Sequence, residues 1–352
     1  MPETNLLGAE LPELERIVSS LGDRPLHARQ IYGWIYARRA RSFQQMTDLP
    51  AALRARLEAS CSLAYPRMLR VDAARDGTRK YLLEPAGGGQ VEAVFIPEAR
   101  RITFCLSPQI GCALDCRFCH TALLGLTRHL AAGEIVGQAL VLLEDNERRI
   151  DRLPVNVVMM GMGEALHNYD RTLAAIRILS DARGVGIPIR RITLSTAGLA
   201  PAIRRLAAEP VRPRLAVSLN ATTDEVRSSL MPINRRHPIA DLMAACADWP
   251  LSSRERITFE YVMLGGVNDT ARDARRLASL INRHRLKAKV NLIPFNAGSG
   301  LPFAEPPAAT VKAFQKDLLS HGVSVSVRAN RGRDIAAACG QLALSEAAAA
   351  SH

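Results

Sequence analysis

Four of the seven cysteines in this sequence fall between positions 105 and 119, and three of them, in Cys112-Ala-Leu-Asp-Cys116-Arg-Phe-Cys119, keep a C-x3-C-x2-C spacing directly after a predicted strand. Three thiolates on one loop can each ligate one iron of a four-iron cubane and leave the fourth iron open for a substrate or cofactor. Two other chemistries match part of the pattern. Cys116-Arg-Phe-Cys119-His120 also fits the C-x-x-C-H of covalent haem, and three cysteines with His120 could hold structural zinc. Haem attachment belongs to exported proteins, and no export signal is visible. Zinc leaves the strand–helix alternation and the glycine-rich turn described next unexplained.

The other polar candidates lie where apolar runs end. Gly161-Met-Gly163-Glu164 follows Val-Asn-Val-Val-Met-Met; its glycines let backbone approach a ligand, and its carboxylate could hold an ammonium group. Ser195, Ser218-Leu219-Asn220 and Asn296 close three further runs and suit a ribose, an adenine or an amino-acid moiety. Singly, such residues serve as turns and caps. Together they mark a ligand site, because parallel α/β sheets collect their active sites at the carboxyl ends of the strands.

Those strand ends need a frame to hold them. RITFCL, VNVVMM, RITLST, RLAVSL, ITFEYVML and KVNLI alternate with helical patterns such as Gly133 to Glu144, Tyr169 to Ala182 and Leu199 to Ala207. Six βα units predict a parallel sheet closed, or partly closed, into a barrel, to which SVSVRA could add a last strand. Before the barrel come helices over the first sixty residues and short strands from Met68 to Ile96, broken at Asp76-Gly77 and Gly87-Gly88-Gly89. Residues from Ser345 form a low-complexity tail. The expected divisions are 1–97 for the helical module with its short β-section, 98–334 for the barrel, and 335–352 for a C-terminal segment.

At 352 residues with 48% hydrophobic content, the chain can bury a large core. Lysine and arginine number 46 against 34 acidic residues, a formal charge of +12 that favours a polyanionic partner. An aromatic content of 5% argues against a surface that recognises nucleic acid mainly by stacking. Arg24, His27, Arg29, Arg38, Arg39 and Arg41 cluster in the helical module as either a nucleic-acid face or an ordinary solvated one. With neither a leader nor an apolar run long enough to cross a bilayer, the expectation is a cytoplasmic protein without a membrane partner.

SPQIGCALDCRFC, VVMMGMGEALHNYD, RITLSTAGL, LAVSLNATTDEVR, LMPINRRHPI, ITFEYVMLGGVND, KVNLIPFN and DIAAACGQL occur in this order, and with ARQIYGWIYARRARSFQQMTDLP they make the chain resemble the RlmN/Cfr family of radical-SAM RNA adenine methyltransferases over nearly its whole length. The resemblance implies an α/β fold, a partial (β/α)6 radical-SAM barrel with a small N-terminal helical accessory domain that docks RNA. It makes Cys112, Cys116 and Cys119 the ligands of a 4Fe-4S cluster. S-adenosyl-L-methionine, used twice per turnover, would close the open iron and be contacted by Gly163, Glu164, Ser195, Ser218, Leu219, Asn220 and Asn296. Cys339 matches the methyl-carrying cysteine, Cys105 the resolving cysteine that forms a transient disulfide with it, and Glu92 the proton acceptor. Cys61 and Cys246 match nothing and read as small buried hydrophobes.

The chemistry accounts for so many sulfurs. An adenine ring carbon is not nucleophilic, whereas the Cys339 thiolate can take a methyl group from a sulfonium. The implied route parks the methyl on Cys339, activates it as a radical, joins it to the ring and releases the product through Glu92 and Cys105. The implied substrates are an adenosine of 23S rRNA in the peptidyl transferase region and the adenosine beside the tRNA anticodon, methylated at carbon 2. Carbon 8 of the same rRNA base is the alternative. The implied electron donor is a flavodoxin or ferredoxin, and the implied state a monomer. The sequence departs from the family at Asn220, where histidine is usual, and at His120, Ala122 and Ala165. These departures bear on substrate position more than on reaction type. A non-catalytic, zinc-bearing RNA-binding protein is the reading from a different class.

Overall fold

In RITLST, the run Ile192–Thr196 buries Ile192, Leu194 and Thr196 and turns Thr193 and Ser195 the other way, the period-two pattern of a strand with two different faces. A computed structural model, which describes residues 4–150, 153–296, 301–328, 331–337 and 340–342, shows the same division repeated around a barrel. Short strands Thr4–Asn5 (β1) and Cys61–Ser62 (β2) pair in parallel and flank three helices, Leu11–Ser20 (α1), Pro25–Tyr32 (α2) and Ala51–Ser60 (α3). The apolar positions Leu14, Val18, Ile31, Leu53 and Leu57 of these helices form the module's core.

Arg67–Ala73 (β3), Arg79–Glu84 (β4) and Val91–Glu98 (β5) follow, then Arg101–Cys105 (β6). After β6 the chain makes a small antiparallel ribbon, Gln109–Gly111 (β7) with Leu126–His129 (β8), and the short helix His120–Leu123 (α4) lies between its arms. Ala132–Asp145 (α5) and Glu147–Ile150 (α6) lead to Val155–Met159 (β9), and Tyr169–Ser180 (α7) leads to β10, the strand Ile192–Thr196. Ala200–Ala207 (α8) precedes Arg214–Ser218 (β11), and Asp224–Leu230 (α9) with Ile239–Ala247 (α10) precedes Ile257–Met263 (β12). Ala271–Arg283 (α11), Ala288–Pro294 (β13), Ala308–Ser320 (α12) and Ser324–Val327 (β14) complete the alternation.

One sheet runs in the order β14-β13-β12-β11-β10-β9-β6-β5-β4-β3. Pairing is parallel from β6 through β9 to β14. The six expected units are therefore present, and SVSVRA adds the seventh parallel strand. The short strands of the β-section join the same sheet: β5 pairs antiparallel with β6, placing Val94 opposite Cys105, and β4 and β3 extend the wall. The sheet ends at β14 and β3, so its hydrogen bonding leaves the barrel open.

Side chains facing the helices are apolar, among them Phe104, Val157, Leu194, Val217, Phe259 and Leu292, all nearly or fully buried. The inward set is different, with Asn156, Thr193, Arg214, Glu260, Lys289 and Asn291 lining a lumen. Barrels of this class usually fill that space with branched aliphatic side chains. Here it is a cavity.

The helical module is clamped to α5. A Cβ on Gly133 would lie 1.9 Å from the Leu7 carbonyl oxygen, so the N-terminal segment crosses the start of the helix where only glycine fits. The buried Tyr36 hydroxyl accepts from Gly8 N at 2.9 Å and donates to Ala9 O at 2.9 Å. Arg39 pairs with Glu147 at 2.8 Å, and Arg41 pairs with Glu144.

Candidate active site

The β7–β8 ribbon presents the cysteine loop. Gly111 has φ +73°, and a Cβ there would meet Gly125 O at 1.7 Å, so the arms approach too closely for any side chain. Cys112 N donates to Gly125 O at 2.9 Å and closes the loop, Cys119 N donates to Cys116 O at 3.0 Å within it, and Arg117 N donates to Leu230 O at 3.0 Å, tying it to the end of α9. His120 N donates to Gly340 O at 2.8 Å and Thr121 Oγ1 to Leu342 O at 2.7 Å, so the loop also holds the C-terminal segment beside it. Cys339, in that segment, lies outside the described residues, as does the tail from Ser345.

Cys112, Cys116 and Cys119 line one wall of a cavity of about 170 Å³ at the carboxyl ends of the strands. Burial pushes the Cys112 thiol up to about 12, with the Glu164 and Cys119 charges adding to it and a hydrogen bond from Leu114 N opposing. Burial and the other two sulfurs push Cys116 well above its ordinary value. Such thiols become thiolates when a cation shares their cavity, which a cluster provides. Among the described residues no three His, Cys, Asp or Glu side chains converge on one ion position. A cubane asks for one thiolate per iron, and three thiols on one loop fit that donor set.

Across the cavity stand Gly163, Glu164, Ser195, Ser218, Asn220 and Asn296. Glu164 is buried, accepting from Ala197 N at 2.7 Å and Leu166 N at 3.0 Å, while Gln109 Oε1 accepts from Glu164 N at 2.7 Å. Burial raises its carboxyl pKa against the pull of those backbone donors. Gly163, at φ +99°, leaves the space that Gln109 fills. Asn220 has φ +56°, a left-handed conformation that asparagine tolerates. Its Oδ1 accepts from Val262 N at 2.8 Å and its Nδ2 contacts Met231 Sδ at 3.3 Å. Its amide is thus engaged by the scaffold. Leu219 is buried and does not line the cavity; its N donates to Glu260 O at 3.0 Å.

Cys105 and Glu92 share the inward face of β6 and β5, since Val94 pairs with Cys105 and Glu92 stands two residues from Val94. Glu92 is fully buried and forms an ion pair with Lys80 at 3.0 Å. Cys105 lines a second, lower chamber with Ala337 and Leu342, described residues on either side of Cys339. Glu92 lines neither chamber. Cys61 and Cys246 are buried, as expected.

Sequence reading missed Lys80, whose diagonal position across the β4–β5 pair is invisible without the register, and Arg227. Arg227 reads as a surface residue of DEVRSSL, yet it is fully buried. It donates to Ala197 O at 2.5 Å, Leu219 O at 3.0 Å, Ser218 O at 3.1 Å and Asn234 Oδ1 at 2.9 Å. Burial lowers its pKa to about 10, which still leaves it charged at neutral pH.

Three thiols on a loop above an open parallel barrel, facing a carboxylate and hydroxyls at the strand ends, define a radical-SAM enzyme, and the model of the Radical SAM superfamily matches residues 106–278. That of the ribosomal RNA large subunit methyltransferase N-terminal domain matches residues 4–63. The chain is 48% identical over 340 residues to the dual-specificity RNA methyltransferase RlmN of Pelobacter propionicus, covering 97% of this chain and 96% of that one. It is 45% identical to the RlmN of Rhodospirillum rubrum, covering 96% and 80%. A crystal structure of a radical SAM methyltransferase from Sphaerobacter thermophilus superposes with a TM-score of 0.90 at 42% identity, covering 96% of this chain and 99% of that one. The chain belongs to the RlmN family of radical-SAM RNA methyltransferases. Membership brings S-adenosyl-L-methionine and a 4Fe-4S cluster. Among the described residues no helix is long and apolar enough to cross a membrane.

Proposed function

We propose that this enzyme methylates carbon 2 of an adenosine in the peptidyl transferase region of 23S rRNA and of the adenosine beside the tRNA anticodon, with Cys339 carrying the methyl group. The observation that carries the reading is that Cys105 and the residues flanking Cys339, more than 200 positions apart in sequence, line one chamber below the cysteine loop. A Cys105 thiol beside the described residues that flank Cys339 supports a transient disulfide between the two cysteines.

Cys112, Cys116 and Cys119 hold the cluster, and Gly163, Glu164, Ser195, Ser218 and Asn296 hold the cosubstrate; Leu219 and Asn220 shape its strand end. When bound, these groups supply a methyl cation equivalent and, from a second molecule of S-adenosyl-L-methionine, a carbon radical. Cys339 accepts the methyl as a thiolate; its S-methyl group would then give one hydrogen atom to that radical, and the remaining S-methylene carbon would bond to the ring carbon, with the odd electron returned to the cluster. The Glu92 carboxylate, held by Lys80, removes the proton from the ring carbon. The Cys105 thiolate attacks the Cys339 sulfur; the bond from that sulfur to the methylene carbon breaks, and its electron pair goes to that carbon, which takes up a proton to become the product methyl group. The resulting disulfide is reset by thiol reductants of the cytoplasm, where a flavodoxin or ferredoxin supplies electrons to the monomeric enzyme.

Anaerobically reconstituted enzyme, incubated with unmodified 23S rRNA and tRNA, is expected to yield 2-methyladenosine in nuclease digests read by mass spectrometry. Cys339→Ala is expected to yield none. 8-Methyladenosine would overturn the assigned position, and continued turnover by Cys339→Ala would overturn the methyl carrier.

A further inference from the structure

The lower chamber has a volume of about 520 Å³ and reaches the amino ends of the strands, where Arg101, Arg214 and Lys289 line it. It shares Met160, Glu260, Ile293, Arg328 and Leu342 with the upper one. Glu260 stands mid-strand in β12, between Ser218 and Asn291 in register, and is only 5% exposed. Its Oε1 accepts from Asn291 Nδ2 at 2.9 Å, while its Oε2 has no hydrogen-bond partner among the described residues. An orphaned buried oxygen is costly to a fold, and a site that needs it for a ligand is a reason to keep it. Burial raises the carboxyl pKa against the Arg328 and Lys289 charges, so the protonated form is favoured relative to an ordinary glutamate.

The surroundings suit a nucleotide. Cys105 lines this chamber, so a base released by that thiol comes within reach of the chamber wall. The mouth is cationic: Arg190 and Arg214 are exposed there, and Lys289 has its pKa lowered by burial and by the nearby Arg214, Arg101 and Arg256 charges.

We propose that Glu260 reads the target base, its Oε2 hydroxyl donating to a ring nitrogen of adenine and its Oε1 accepting from the exocyclic amine, while Arg190 and Arg214 hold the neighbouring phosphates. The assignment rests on the RNA-adenine reading above. A neutral carboxyl places a donor beside an acceptor, the complement of an adenine edge, and the glutamine amide offers the same pair. A nucleotide that enters the barrel must leave its stack, so the wall of the chamber is where its identity can be checked.

The test compares wild-type, Glu260→Ala and Glu260→Gln holoenzymes on an RNA stem-loop carrying either adenosine or purine riboside, which lacks the amine, at the target position. The wild type is expected to prefer adenosine. Glu260→Ala is expected to lose roughly 10- to 100-fold in kcat/KM on adenosine RNA, with a raised KM and little remaining preference, and Glu260→Gln is expected to recover most of both. Iron content and methylation of Cys339 without RNA report on the upper site and are expected to match the wild type. A wild-type preference retained by Glu260→Ala would overturn the proposal, as would loss of Cys339 methylation in that variant, which would place the carboxyl on the cosubstrate side. Should the wild type methylate neither RNA, the functional reading fails by itself. Fluorescence anisotropy with the two stem-loops then decides Glu260: a binding preference for adenosine abolished by Glu260→Ala supports it, and an unchanged one overturns it.

Discussion

Arg227 gathers the Ala197 carbonyl just after β10, those of Ser218 and Leu219 at the end of β11, and the Asn234 side chain. Gly198 leaves room for it, since a Cβ there would lie 3.1 Å from Nη2. Replacing the guanidinium with methionine takes the donors from four acceptors, three of them buried, and leaving a buried acceptor unsatisfied costs roughly 1–3 kcal/mol. Lysine, with three donors on a point charge, cannot match the planar fork. Arg227→Met is therefore expected to lower the thermal midpoint by several degrees and Arg227→Lys to recover only part, as read by calorimetry on the metal-free protein; an unchanged midpoint for Arg227→Met would remove the residue from this role. The contrast with the cysteines is instructive. Cys112, Cys116 and Cys119 act through contiguous spacing, which a sequence displays directly. Arg227, Lys80 and Glu260 act through burial and register. One sits in a helix that reads as polar, one near the start of a short strand, and one within the apolar run ITFEYVML, so nothing local distinguishes them.

At the scale of elements, α5 illustrates how a helix start can organise a site. Glu134, its third residue, accepts from Ala131 N at 2.8 Å, from Gly87 N at 2.8 Å and from both Arg128 terminal nitrogens at 2.7 and 2.8 Å. One carboxylate thereby joins the helix N-terminus, the glycine turn before β5 and strand β8 of the ribbon that carries the cysteine loop. Burial pushes its pKa up, but the Arg128, Ala131 and Gly87 donors outweigh that and hold it below the usual carboxylate value. A depressed folded-state pKa means stability that is present above the unfolded value of about 4.3 and lost as pH falls through the folded one. Glu134→Gln is expected to cost about 1–2 kcal/mol at neutral pH, a deficit that shrinks below about pH 4 as the wild type loses the same interaction. Denaturant titrations at several pH values check this, and a deficit independent of pH would mean that the charge is not what matters. The helices and parallel strands were legible because their periods differ. The association of β3–β5 with the barrel was not, since alternation tells which residues share a face but not which sheet the strand joins.

The formal charge of +12 raised the question of where the molecule would meet a polyanion. Arginines of the helical module are partly committed internally: Arg39 and Arg41 bind Glu147 and Glu144, Arg41 also lies 4.0 Å from the Tyr65 ring centroid, and Arg38 lies 4.1 Å from that of Trp34. These contacts bind the module to α5 and α6 or to itself, so composition alone misleads about how much of the basic cluster faces outward. Arg190 and Arg214 sit differently. They precede or begin β10 and β11 at the open mouth of the lower chamber, and neither forms an ion pair among the described residues. Each phosphate contact to a single strand contributes about 0.7 to the slope of log affinity against log salt. The double substitution Arg190→Ala with Arg214→Ala is therefore expected to weaken binding of the target stem-loop and to flatten that slope by about 1 to 1.5. Arg39→Ala with Arg41→Ala, by contrast, is expected to lower thermal stability by loosening the module from the barrel and to leave the slope within about half a unit of the wild type. Anisotropy titrations at four salt concentrations, with melting curves on the same preparations, separate the two pairs. If the slope changed for the second pair and not for the first, the RNA would lie across the helical module, and the barrel mouth would have no part in holding its backbone.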